Sequence, residues 1–161
     1  MVDITEISAI VAAAGVLVGV VFTVLQVRDL VKTRQSDMVM RLYATYGSTE
    51  FQEALGKIMM LDFVDFADFM KKYAADVGVG PALVTVGTLF EGIGVLVKRK
   101  LISMDLVDDL FASSIRVTWE KMAPLMKGMR ELTKTPSNAE WFEYLYNEMK
   151  KREQQQASKT A

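Results

Sequence analysis

Residues 7–27 read ISAIVAAAGVLVGVVFTVLQV, and no charged side chain interrupts the run. As a helix, at ~1.5 Å per residue, it would cover about 30 Å, the hydrocarbon thickness of a bilayer. Ser8, Thr23 and Gln26 are its polar exceptions. A helix can bond a hydroxyl back onto its own carbonyls, and Gln26 falls at the interfacial end. The flanks suggest an orientation. Asp3 and Glu6 precede the run, whereas Arg28, Lys32 and Arg34 follow it. Positive charge stays on the cytoplasmic side, which predicts an extracytoplasmic residues 1–6, a transmembrane helix over 7–27 and a cytoplasmic remainder. A cleaved signal peptide would want a basic start and a shorter apolar core. A buried soluble helix apolar on every face would need a larger protein around it.

Within the run, Gly15 and Gly19 form a GxxxG pair and Thr23 continues the row. Small residues four apart let two helix backbones approach closely, so Gly15, Gly19 and Thr23 are the expected helix-packing residues in the membrane. A second apolar stretch, Val77–Val97, is interrupted by Glu91 and followed by Lys98, Arg99 and Lys100. A hairpin would carry those cations outside and leave a carboxylate in lipid, so a buried helix of a globular domain is the favoured reading.

The whole chain has 161 residues, is 51% hydrophobic and 24% charged, and carries a net charge of −1. It contains no Cys and no His. That removes disulfides, zinc fingers, haem ligation and an imidazole base, and no cofactor is implied. Nineteen basic against 20 acidic residues gives no basic excess of the kind that marks a nucleic-acid partner.

Beyond the apolar run the pattern is helical throughout. Residues 28–47 read as a juxtamembrane helical linker ended by Gly47, residues 48–153 as a helical cytoplasmic domain, and residues 154–161 as a polar, disordered tail. Ser48 or Thr49 would cap a helix over Glu50–Leu61, with Thr49 and Gln52 matching a capping box. Phe63, Phe66 and Phe69 suit a short helix capped by Asp62 or Asp65. Val77–Gly80 reads as a loop, and Pro81 opens a helix to about Lys100. Ser103 starts another, with a kink or break expected near Lys121–Ala123 because Pro124 follows. Ser137 and Glu140 form a further capping box before a last helix to about Arg152. No segment alternates with period two. The expected fold is therefore all-α: one transmembrane helix followed by a five- or six-helix cytoplasmic bundle.

Few constellations carry chemistry. Asp62, Asp65 and Asp68 are spaced by three and, with Glu91, could offer oxygen ligands to a divalent cation. The EF-hand pattern is absent, and a solvated acidic face is the simpler account. Gly87 and Gly94 lie two turns apart in an apolar helix, which points to close approach by a neighbouring helix. Glu91 should need a partner there, with Arg116, Lys121 and Arg130 as candidates. Ser113 and Ser114 have no base to activate them. Met122, Met126 and Met129 form a stripe that suits an adaptable binding surface, although such stripes more often pack in a core. The basic groups Lys71–Lys72, Lys98–Lys100 and Lys150–Arg152 suit helix ends and would also suit anionic headgroups.

Four stretches resemble a known group of proteins: MRLYATYGSTEF (Met40–Phe51), FEGIGVLVKRKLI (Phe90–Ile102), DLVDDLFASSIRVTWEKMAPLM (Asp105–Met126) and EWFEYLYNEMKKRE (Glu140–Glu153). The chain resembles an uncharacterised family of prokaryotic, often archaeal, single-span membrane proteins with a helical cytoplasmic domain. The resemblance implies a tethered all-α domain and assigns no activity. The expected function is a membrane-anchored interaction module, an accessory or regulatory subunit or a homo-oligomeric scaffold. Its partners would be the lipid bilayer and either a protein or a second copy. A membrane-tethered metal-dependent hydrolase using Asp62, Asp65, Asp68 and Glu91 is the alternative. A small channel subunit is weaker, because residues 7–27 lack a polar stripe.

Overall fold

A computed structural model describes residues 4–160, with side chains described for residues 8, 11–155 and 157–158. Of the expected extracytoplasmic flank, residues 1–3, Asp3 among them, and the side chains of residues 4–6, the Glu6 carboxylate among them, lie outside what is described. Among the described residues there are six helices and no strand: α1 (Ile4–Tyr46), α2 (Thr49–Met60), α3 (Phe66–Tyr73), α4 (Val79–Lys98), α5 (Met104–Thr133) and α6 (Glu140–Thr160). The all-α expectation holds. The chain divides into two compact units, Met1–Asp37 and Met38–Ala161.

In the first unit every side chain from Val11 to Arg34 is exposed, valines and leucines included. Gly15 and Gly19 have open space where a Cβ would stand. The Thr23 hydroxyl donates to the Gly19 carbonyl at 2.8 Å, which satisfies the one polar group of the row within the helix itself.

The second unit is built around α4. Val86, Phe90 and Ile93 are fully buried on it, and α2 and α6 pack on its flanks. α5 packs on α3 and α6. An aromatic chain runs through the core: Phe51 meets Phe90 at 5.9 Å between ring centroids, Phe90 meets Phe142 at 4.8 Å, and Phe142 meets Trp119 at 5.0 Å. Such pairs add about 0.5–1.5 kcal/mol each beyond the area they bury. The end of α1 joins this unit through buried Val39 and through Tyr46, which packs on Phe51 and Phe111. Among the described residues two helices, Val11–Tyr46 and Val79–Lys98, are long and apolar enough to cross a membrane. The second of them has seven residues buried in the core of this unit.

Local signals explain most boundaries. Ser48 caps α2, its Oγ accepting from Phe51 N–H at 3.2 Å, and Gln52 reaches back to the Tyr46 carbonyl at 2.6 Å. The cap is thus one residue before the Thr49–Gln52 pair. Asp65 caps α3, and Ser103 caps α5. Three expectations change. α4 begins at Val79 rather than Pro81. α5 runs unbroken through Pro124, so no break occurs near Lys121–Ala123. The proline costs one backbone bond, about 3 kcal/mol in isolation, but buried Trp119, Met122, Leu125 and Met126 bind both halves to the core. α6 continues to Thr160, past Arg152 and into the tail expected to be disordered. Residues 154–160 contain no Gly or Pro to stop it.

Candidate functional site

An apolar groove of about 800 Å³ is walled by α3, α4 and α5. Its length follows from α4. Wall residues run from Val79 to Val95, about 24 Å at ~1.5 Å per residue. Phe69, Met70 and Tyr73 of α3 and Met122, Leu125, Met126 and Met129 of α5 line it with α4. Val84, on the rim, is 66% exposed, and Val77 beside it is 90% exposed.

The α4 surface of the groove is low. Gly80, Gly87 and Gly92 all line it, and at each of them a Cβ would meet nothing within 4 Å. Glycine inside a helix costs about 1 kcal/mol relative to alanine. Gly94 has an intramolecular reason for its place. A Cβ there would collide with the backbone carbonyl of Trp141, so the glycine lets α6 lie directly against α4. The expectation of helix approach is met at Gly94 but not at Gly87, which faces open space. Gly128 on α5 is a case the sequence pattern did not flag: it makes room for the Phe66 side chain.

Glu91 sits in the groove wall and is half-buried. Its carboxylate accepts the Phe142 backbone N–H at 2.8 Å. That bond satisfies one of the orphan N–H groups in the first turn of α6 and sets a negative charge at the positive end of the helix dipole. The expected cationic partners are engaged elsewhere. Arg116 pairs with Glu153. Arg130 pairs with Glu143 at 2.7 Å and donates to the Asn138 carbonyl. Lys121 lies over the Phe63 ring. The Ser137–Glu140 capping box is replaced as well. Ala139 adopts a φ of 56°, Glu140 N–H bonds the Ser137 carbonyl, and the carboxylate that caps α6 comes from α4.

The candidate metal residues are not brought together. Asp65 accepts the Asp68 N–H at 2.8 Å as the α3 cap. Asp68 pairs with Lys72 at 2.9 Å and accepts the Val64 N–H. Lys72 also donates to the Asp62 carbonyl, whose N–H in turn binds the Tyr73 hydroxyl. Glu91 belongs to the α4–α6 contact. Among the described residues no three carboxylates converge on one point. The lysine beside it holds the Asp68 carboxyl below its usual value, as Lys57 does for Asp76. The methionine stripe does share one wall: Met122 and Met126 are buried, and Met129 is half-buried. Ser114 bonds the Tyr46 hydroxyl at 2.6 Å.

Several of the remaining basic residues are held in place, whereas Arg99 and Lys100 are exposed. Lys98 lies over the rings of Trp141 and Tyr144, at 5.9 and 5.1 Å from their centroids. Lys151 pairs with Glu148, and Arg152 pairs with Asp105 and Asp108.

No curated protein and no solved structure matches the chain. Residues 9–149 match the domain of unknown function DUF4760, a span that takes in most of both units and the whole groove. The chain belongs to that uncharacterised family.

Proposed function

We propose that the chain is a membrane-anchored interaction module, and that a helical segment of a protein partner docks in the groove between α3, α4 and α5. In this reading residues 7–27 form the single span of a prokaryotic membrane protein. The amino terminus is outside, the second unit is cytoplasmic, and Gly15, Gly19 and Thr23 supply the contact between spans. The protein then serves as an accessory or regulatory subunit of a membrane complex.

The groove is the observation that carries the proposal. It offers a furrow four helical turns long, an apolar wall and flexible methionine side chains that repack around different surfaces. Its charged groups are few, Asp76 paired with Lys57 and Glu91 accepting the Phe142 N–H, which suits recognition better than bond-making.

Site-specific photo-crosslinking in native membranes tests it. A photoreactive residue at Val84 should give a discrete adduct with a second protein. The same residue at exposed Asp109, on α5, should not. Conversion of Gly87 to Leu should abolish the Val84 adduct while leaving the protein at normal abundance. The absence of an adduct at Val84, or an equal one from Asp109, would contradict the reading. Topology is checked separately. Because the chain has no cysteine, Thr5→Cys should label with an impermeant maleimide on intact cells and Gln155→Cys only after lysis.

A further inference from the structure

We infer that the groove selects a basic amphipathic helix, and that Glu91 is the residue that reads its charge. The inference rests on the docking reading above and names the chemistry of the occupant.

Two independent observations favour a helix as the occupant. The α4 wall extends about 24 Å at ~1.5 Å per residue, which matches a helix of some four turns. Gly80 and Gly87, two turns apart on one face of α4, leave open space along that wall. Small residues in a row let a second backbone come within close van der Waals contact, the arrangement by which helices pack most intimately. Side chains placed at i, i+3, i+4 and i+7 on the incoming helix would then reach the methionine side of the groove.

Charge complementarity gives the sign. Among the described residues only two charged ones line the groove, Asp76 and Glu91, and both are acidic. Asp76 is paired with Lys57 at 3.0 Å. Glu91 has no cation among the described residues: one oxygen takes the Phe142 N–H, which leaves lone pairs on a half-buried carboxylate. An Arg or Lys at the edge of an otherwise apolar helix face would complete that site with a charge-assisted hydrogen bond. A second copy of this chain presenting the same groove would bring its own unpaired Glu91, so self-docking through this surface is disfavoured.

The test uses the full-length protein in nanodiscs of zwitterionic phosphatidylcholine, with empty discs as the blank. The probes are two fluorescent 18-residue helices with leucines at i, i+3, i+4 and i+7, alike except for Arg or Glu at the edge of the apolar face. Anisotropy should show the Arg helix binding about tenfold more tightly than the Glu helix, a partly desolvated ion pair being worth that much. Glu91→Gln keeps an acceptor for Phe142 N–H and should bring the two affinities together, with a smaller fall in melting temperature than Glu91→Ala. Gly87→Leu should weaken both. Equal binding of the two helices by the unaltered protein would overturn charge selection and leave the docking reading standing. Binding of neither would overturn the docking reading itself. A discs-only mass measurement showing dimers that Gly87→Leu dissolves would assign the groove to a second copy and overturn the inference.

Discussion

Replacing Gly94 by Ala puts one methyl group into the α4–α6 contact, and its cost follows from what that methyl meets. The new Cβ would overlap the carbonyl oxygen, the carbonyl carbon and the Cβ of Trp141. None of these can rotate aside, so α6 must move as a body. Moving it disturbs the Glu91 bond to Phe142 N–H and the ring contacts of Phe142 with Phe90 and Trp119. Overpacking of this kind costs about 1–3 kcal/mol, and a backbone obstacle belongs at the top of that range. Alanine returns up to about 1 kcal/mol through helix propensity. The net loss is therefore about 2 kcal/mol, and at ~3–6 °C per kcal/mol the Tm should fall by about 6–12 °C. Gly87→Ala is the internal control. Its Cβ meets nothing, so only the propensity gain is left and the Tm should rise by up to about 3–6 °C. Thermal unfolding of the full-length protein in detergent, followed by tryptophan fluorescence, reads the second unit alone, because both tryptophans, Trp119 and Trp141, lie in it. If Gly94→Ala matched or exceeded the parent protein in stability, the reasoning about close helix approach would be refuted.

Glu91→Ala should destabilise the second unit by about 0.5–2 kcal/mol, the usual worth of an N-cap acceptor, whereas Glu91→Gln should recover most of the loss in denaturant titrations. Stability should also fall in acid. Lysine or arginine partners hold the carboxyls of Asp68, Asp76 and Glu153 below their usual values of 3.8, 3.8 and 4.5. The folded state thus binds fewer protons than the unfolded state between the two sets of values. The stabilisation is complete above about pH 4.5 and is lost as pH drops through the lowered folded values, and Asp76→Asn should flatten that slope. In the first unit, changing Gly15 and Gly19 together to Ile should weaken association between spans in a membrane two-hybrid assay; an unchanged signal would remove the GxxxG row from the account.

Much of the fold is legible one residue at a time. The charge-free run at 7–27, the caps at Ser48, Asp65 and Ser103, and the apolar spacing of α2 and α5 are local properties, fixed within a turn or two of chain. Gly94 could be flagged because a glycine in an apolar helix costs stability and needs a reason. The failures are non-local. Glu91 caps a helix 51 residues away through a backbone N–H, and a sequence shows side chains, not which N–H groups will be left orphaned nearby. Pro124 is tolerated because residues on either side of it are buried, which outweighs one missing bond. Gly128 serves Phe66 across the α3–α5 contact. The groove combines faces of three helices between residues 69 and 139, so its methionines could be noticed as a stripe, but its shape could not be read at all.

The central claim is that the α3–α4–α5 groove is open in the isolated protein and covered by a protein in the membrane where it works. Reaction of a single cysteine at Val84 with a water-soluble maleimide measures this directly, since the chain has no other thiol. In discs of pure lipid the Val84→Cys protein should react as fast as an exposed cysteine, matching the 66% exposure of this position. In native membranes the same thiol should be protected. Protection already present in pure lipid would place α4 in the bilayer, equal rapid reaction in both settings would leave the groove empty, and either result would contradict the account.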